Sequence, residues 1–125
     1  MTTFEAFADL AARRRTSLRM DSERPVDPAM IQQVCEVAAW APSHKRTWPW
    51  RFASFTGGGR ELLGNAMASD MVNADYGDDA KQAKTRTKYL RAPSVLVVGC
   101  APHPNEMLHL ENRDAVAAAI QNLLL

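Results

Sequence analysis

Two short stretches of this 125-residue sequence gather side chains that could hold a charged, planar ligand. In the first, Arg13, Arg14 and Arg15 are consecutive and Thr16 follows. Guanidinium groups present planar, bidentate donors to a phosphate and a hydroxyl adds one more, each charge-assisted bond being worth ~1.5–3 kcal/mol. On a helix three successive residues fan through about 200°, so the three arginines cannot all meet one ligand. The cluster reads equally well as a basic surface favoured at a helix carboxyl end by the dipole. The second stretch, Trp40 to Trp50, carries Trp40, Trp48 and Trp50, Pro42 and Pro49, and the basic run His44-Lys45-Arg46. An indole is costly to leave in water and its N–H wants a partner. The stretch is therefore expected to be ordered, either as core packing at a helix–strand corner or as a wall for a planar, phosphate-bearing ligand, with His44 and Lys45 as polar contacts.

Other chemistry finds less support. His44, His103 and His109 show neither H-E-x-x-H spacing nor a cysteine partner for a metal. No G-x-S-x-G elbow is present. Gly57-Gly58-Gly59-Arg60 matches no phosphate-loop pattern and reads as a turn. Lys81, Lys84 and Lys88 share a helix face, which suits a solvated surface or a phosphate-contacting stripe; few aromatics are interleaved to stack on bases. Cys35 and Cys100 lie far apart and read as buried thiols.

The elements that must position these residues follow from periodicity. Phe4, Phe7, Ala8 and Ala11 recur at helical spacing and predict a helix from about Thr3 to Arg15. Asp27 as N-cap and Pro28 at the first position open a second helix, with Ile31, Val34, Cys35 and Ala38 on its inner face, which Pro42 ends. Trp50–Phe55 suits a strand, Arg60–Ser69 and Asp78–Tyr89 suit helices, and the unalternating Ser94–Gly99 suits a strand covered on both faces. Glu111–Leu125 reads as a last helix. Strands interleaved with covering helices predict an α/β or α+β sandwich in one domain over residues 1–125.

Composition bounds the class. Hydrophobic residues are 46%, charged residues 23% and the net charge is +1, which excludes disordered and strongly polyanion-seeking classes. The longest apolar run, Ser94–Ala101, is far short of the ~20 residues needed to span a bilayer. Nucleic acid and membrane are thus not expected as partners, and a cytoplasmic location is expected. The three terminal leucines have no cap and no polar tail, so the chain reads as the amino-terminal portion of a longer protein, truncated at its carboxyl end.

Arg14-Arg15-Thr16 with Arg19, Pro25-Val26-Asp27, Ala41-Pro42-Ser43-His44-Lys45 leading into Pro49-Trp50, Arg91-Ala92-Pro93 and Ala119–Leu125 occur in that order. Together they resemble the flavin-dependent nitroreductase family, in particular its compact single-domain branch. The resemblance implies an α+β sandwich, helices covering a mostly antiparallel sheet, that forms a homodimer with FMN in the subunit interface. It assigns Arg14, Arg15 and Thr16 to the FMN phosphate and ribityl chain, and Trp40 and His44 to the flavin bound mainly by the partner subunit. It implies an oxidoreductase that uses NADH or NADPH as co-substrate and passes hydride through FMN to nitro compounds, quinones or similar small acceptors, with no side chain needed as general acid or base. Where many members carry Asn and Gln, this sequence has Lys45 and Trp48. The rival readings are a non-catalytic binding module for an anionic partner such as RNA, and an inactive fragment of the family.

Overall fold

The computed structural model describes residues 1–125 and shows the α+β architecture the sequence predicts. In chain order the elements are helices α1 (Thr3–Arg13) and α2 (Pro28–Ala38), strand β1 (Trp50–Thr56), helices α3 (Gly59–Asn73) and α4 (Asp79–Thr87), strand β2 (Ser94–Cys100) and helix α5 (Glu106–Leu124). Short 3-10 turns occupy His44–Arg46 and Lys88–Arg91. No helix is long and apolar enough to cross a membrane.

Strands β1 and β2 pair with each other. The Pro49 carbonyl accepts from the Ala101 N–H at 2.7 Å, and the Arg51 side chain and carbonyl lie against Gly99, so the strands run antiparallel. Carried onward, this register sets Phe52 opposite Val98. The expected cover on both faces of β2 is only partial: its residues are half-buried and Val97 is exposed.

Two compact units can be distinguished. The first comprises Met1–Leu18, Pro28–Phe52 and Val98–Leu125. Its core is Ala38, Ala41, Trp50, Ala115, Val116 and Ala119, with Phe52, Val98, Cys100 and Leu123 packed against it. Four of the six are alanines, which let α2 and α5 approach closely while Trp50 supplies bulk from β1. Leu123, expected to lie uncovered, joins this cluster, whereas Leu124 is exposed. Helix α5 starts five residues before the predicted Glu111, because Asn105 caps it: the Asn105 Oδ1 accepts from the Leu108 N–H at 3.0 Å. The Cys35 thiol is half-buried, and desolvation pushes its pKa up, as expected of a packing thiol.

The second unit comprises Arg19–Asp27 and Ala53–Val97. Helices α3 and α4 pack closely at Gly64, where a Cβ would stand 2.2 Å from the Arg86 carbonyl oxygen. Ala68, one turn on, is fully buried. The Arg60 guanidinium ties together carbonyls of Gly57 (3.0 Å), Ser22 (3.4 Å), Leu90 (3.4 Å) and Ala92 (2.6 Å). Helix α4 opens on Asp78, whose side chain accepts from the Lys81 N–H at 2.8 Å.

Candidate functional site

Helix α1 begins in a capping box. The Thr2 N–H donates to the Glu5 carboxylate at 2.7 Å and the Glu5 N–H donates to the Thr2 hydroxyl at 3.2 Å. The bond from the Thr2 backbone, then that from its hydroxyl, holds the Glu5 carboxyl below the usual carboxylate range. The helix ends at Arg13, two residues before the predicted end, and the three arginines then diverge in role. Arg13 pairs with Asp9 at 2.6 Å. Arg15 turns back and donates to the carbonyls of Ala12 (2.8 Å) and Arg14 (2.9 Å), the helix-end role that composition left open beside phosphate binding. Arg14, half-buried, donates to the Thr16 hydroxyl at 3.4 Å, so these two form a joint donor pair just beyond the helix.

The tryptophan-rich stretch is built differently from a simple corner. Trp40 and Ala41 close α2 with tightened bonds to Val37 and Ala38, which buries Ala41 and leaves Trp40 86% exposed. Lys45, Arg46 and Trp48 have φ of 55°, 53° and 45°, so three non-glycine residues out of four sit in the left-handed region. Each such residue costs of order 1–3 kcal/mol and persists only where its surroundings over-determine it. Here the Ser43 hydroxyl accepts from the Trp48 N–H at 3.2 Å and lies 3.2 Å from the Thr47 hydroxyl. The Thr47 hydroxyl in turn donates to the side-chain amide oxygen (Oδ1) of Asn112 at 2.5 Å, and Asn112, on α5, is only 4% exposed. Pro49 is fully buried, and the Arg51 guanidinium donates to the carbonyls of Trp48 (2.9 Å) and Trp50 (2.8 Å). The Trp48 and Trp50 rings stand 6.1 Å apart, tilted by 59°. Of the three indoles, Trp50 alone is in the core.

This backbone shapes two hollows that share Pro42. One, of about 520 Å3, is walled by Trp40, Pro42 and Trp48, with Glu36 and Arg46 as its charged members. The other, of about 330 Å3, is lined by His44, Glu111 and Asp114 beside Ala115 and Ala118. His44 Nδ1 lies 2.6 Å from a Glu111 carboxylate oxygen, which fixes the ring's orientation. Trp40 and His44 are thus brought to either side of one proline, and Lys45 lines neither hollow. Arg14, Arg15 and Thr16 bond to one another and to the end of α1.

Asn112, Glu111 and Arg46 were not among the residues expected in the site. Asn112 had a legible signal: it interrupts the apolar spacing Leu108, Ala115, Val116 and Ala119 of α5 with a lone amide, and a buried amide needs a partner. Chemically, the larger hollow offers flat apolar faces at a volume within the ~300–1,000 Å3 usual for small-molecule sites. Its indole faces are of a kind that could stack on a fused aromatic ring such as a flavin's, and the Arg14–Thr16 pair, at the end of α1, is of a kind that could donate to a phosphate.

Comparison with known proteins gives this geometry a setting. The Nitroreductase family model matches residues 11–125. The Bacillus subtilis (strain 168) protein named "Putative NAD(P)H nitroreductase YfhC" is 30% identical over 115 residues, 90% of this chain and 59% of its own. YdjA of Escherichia coli (strain K12), named likewise, is 29% identical over 90 residues, 72% of this chain and 48% of its own. Among solved structures, a nitroreductase-like family protein from Bacillus cereus superposes with a TM-score of 0.81 at 25% identity, covering 99% of this chain and 65% of that one. The FMN-dependent nitroreductase NfnB from Mycobacterium smegmatis, solved in complex with NADPH, shares the fold at a TM-score of 0.73 and 18% identity, over 98% of this chain and 70% of that one. The chain spans about half to three-fifths of the length of the two curated relatives. An antiparallel strand pair packed by helices, an indole-walled hollow and a match over all but the first ten residues agree: the chain belongs to the nitroreductase family.

Proposed function

We propose that this protein is an FMN-dependent NAD(P)H oxidoreductase that reduces nitro compounds, quinones or similar small acceptors. The observation that carries the reading is the indole-walled hollow of about 520 Å3, in a chain whose family relatives are named NAD(P)H nitroreductases. Bound FMN would supply the hydride chemistry, between the nicotinamide and the acceptor. The chain's own residues bind and orient. Arg14 and Thr16 present adjacent donors to the phosphate, and Arg15, bonded to the carbonyls of Ala12 in α1 and of Arg14 just beyond it, keeps its remaining N–H groups for the same ligand. Trp40 offers an exposed flat face, and His44, oriented by Glu111, offers an imidazole edge on the far side of Pro42. The reading includes a single nitroreductase-type domain over residues 1–125, a homodimer in which Trp40 and His44 serve the flavin held mainly by the partner subunit, and a cytoplasmic location.

The test is a titration of flavin-stripped protein with FMN, followed by quenching of flavin fluorescence. Saturable uptake is expected, with Arg14→Ala weakening it by ~1.5–3 kcal/mol, the value of a charge-assisted phosphate contact. Protein that purifies colourless and takes up no FMN removes the reading. Full affinity in both Arg14→Ala and Arg15→Ala removes the phosphate assignment alone.

A further inference from the structure

The lysine face of α4 is more than a row of solvated charges. Lys81, Lys84, Thr85, Lys88 and Arg91 line a hollow of about 340 Å3, and no carboxylate is among its lining. The positions 81, 84, 85 and 88 follow i, i+3, i+4, i+7 and so share one helix face. The 3-10 turn Lys88–Arg91 then carries the guanidinium round to complete it.

Helix stability does not account for this arrangement. The dipole favours cations in the last turn, which explains Lys84, but it opposes a cation in the first turn, where Lys81 sits. Like charges three and four residues apart on one face also repel. The acidic residues of α4 stand at its amino end instead, where Asp78 caps the helix. Lys81 is nevertheless held in place: its ammonium donates to the Tyr76 hydroxyl at 2.7 Å and lies 4.1 Å from the Tyr76 ring centroid. The Thr85 hydroxyl donates to the Lys81 carbonyl at 2.9 Å, so the donors left to a ligand are the ammonium groups and the guanidinium. Beneath them the α4 backbone is pinned against Gly64 of α3, where the carbonyls of Thr85 and Arg86 come within 3.2 and 2.2 Å of a would-be Cβ. Close packing on α3 thus sets the position of the α4 backbone that carries the clustered cations.

We propose that this hollow binds a compact, multiply charged phosphoanion, either free or as the phosphate groups of a nucleotide. Its volume suits two or three phosphate-sized groups rather than the track a polymer needs. The proposal is independent of the flavin reading, since it rests on residues of the second unit alone.

Inorganic pyrophosphate titrated into isotope-labelled protein, watched by amide chemical shifts, tests it. Shifts centred on Lys81–Arg91 are expected, with affinity falling as salt rises. Lys84→Ala/Lys88→Ala should weaken binding by at least about tenfold, while Lys84→Arg/Lys88→Arg keeps it. Thermal unfolding of both variants shows whether the fold is intact. A parallel titration with adenosine 2′,5′-bisphosphate separates the sources: tighter binding than pyrophosphate points to a nucleotide, weaker binding to a free phosphoanion, and either supports the site. Shifts centred elsewhere, unchanged affinity in the folded alanine variant, no binding at millimolar pyrophosphate, or tighter binding of oligouridylate than of either small ligand would overturn it.

Discussion

Asn112 connects the core of the first unit to the backbone that shapes the indole-walled hollow. Its side-chain amide oxygen accepts a hydrogen bond from the Thr47 hydroxyl, and Thr47 and Ser43 together restrain a run that holds Lys45, Arg46 and Trp48 in left-handed conformations. Asn112→Ala leaves the Thr47 hydroxyl without that acceptor and is expected to destabilise by ~1–3 kcal/mol, read from urea unfolding. A double-mutant cycle with Thr47→Val should return a coupling energy of ~0.5–3 kcal/mol; additivity within the error of the cycle would mean the bond contributes nothing. A second residue-scale expectation concerns Tyr76. The hydrogen bond from Lys81, and after it the ammonium's charge, favour the phenolate and lower the phenol's pKa. The phenol's ultraviolet titration should therefore come at lower pH than that of an ordinary tyrosine, and Lys81→Met should move it back up. A midpoint indifferent to that substitution would show that the contact is not kept in solution. At this scale the sequence was informative about residue types and silent about backbone. Trp40 and His44 stand out by type and do line hollows, but nothing in Lys45, Arg46 or Trp48 announces a positive φ, since none is the glycine or asparagine that usually marks it.

Between elements, α3 and α4 pack closely at Gly64. Gly64→Ala would gain up to ~1 kcal/mol of helix propensity. It would also press a methyl group 2.2 Å from the Arg86 carbonyl oxygen and 2.9 Å from its carbon, both backbone atoms with no rotamer to yield. Overpacking of this kind typically costs ~1–3 kcal/mol, so the net effect is destabilising and should appear as a lower melting temperature. Gly59→Ala is the control, because its added methyl would meet only Phe55 side-chain atoms at 3.8 and 3.9 Å; that variant should melt at or above the wild type. Equal melting temperatures for the two variants would mean that the helices can part freely. Helices α1 and α2 were legible because apolar residues recur at helical spacing and a proline stands at the start of α2. The amino-terminal part of α5 was obscured by His103-Pro104-Asn105, which reads as loop although Asn105 is already the cap. The Gly64–Ala68 spacing did hold a signal for α3, two small residues one turn apart, but tertiary contact rather than local propensity gives it meaning.

At the scale of the whole molecule, α1 poses a physical problem that the proposed homodimer would resolve. It has eleven residues and none of them is buried; Phe4 is 77% and Phe7 57% exposed. Isolated helices shorter than ~12–15 residues are marginal in water, and the capping box satisfies only the amino end. Its apolar stripe, evident in the sequence as Phe4, Phe7, Ala8 and Ala11, has the pattern of a helix that packs, yet none of it is buried among residues 1–125. Leu18 and Trp40 of the same unit are also exposed, apolar side chains that the proposed dimer contact would cover. In the proposed homodimer a second copy would supply that counterface, and through Trp40 and His44 it would tie assembly to the flavin site proposed above. Sedimentation should accordingly give a dimer at micromolar concentration. Phe7→Glu, a solvent-compatible change for a monomer, should weaken the dimer by at least about tenfold, as expected when a charge enters an apolar contact, and should reduce FMN uptake with it. A wild-type chain that stays monomeric at high micromolar concentration, with the helical content of α1 intact, would show that the stripe needs no partner and would remove the shared site.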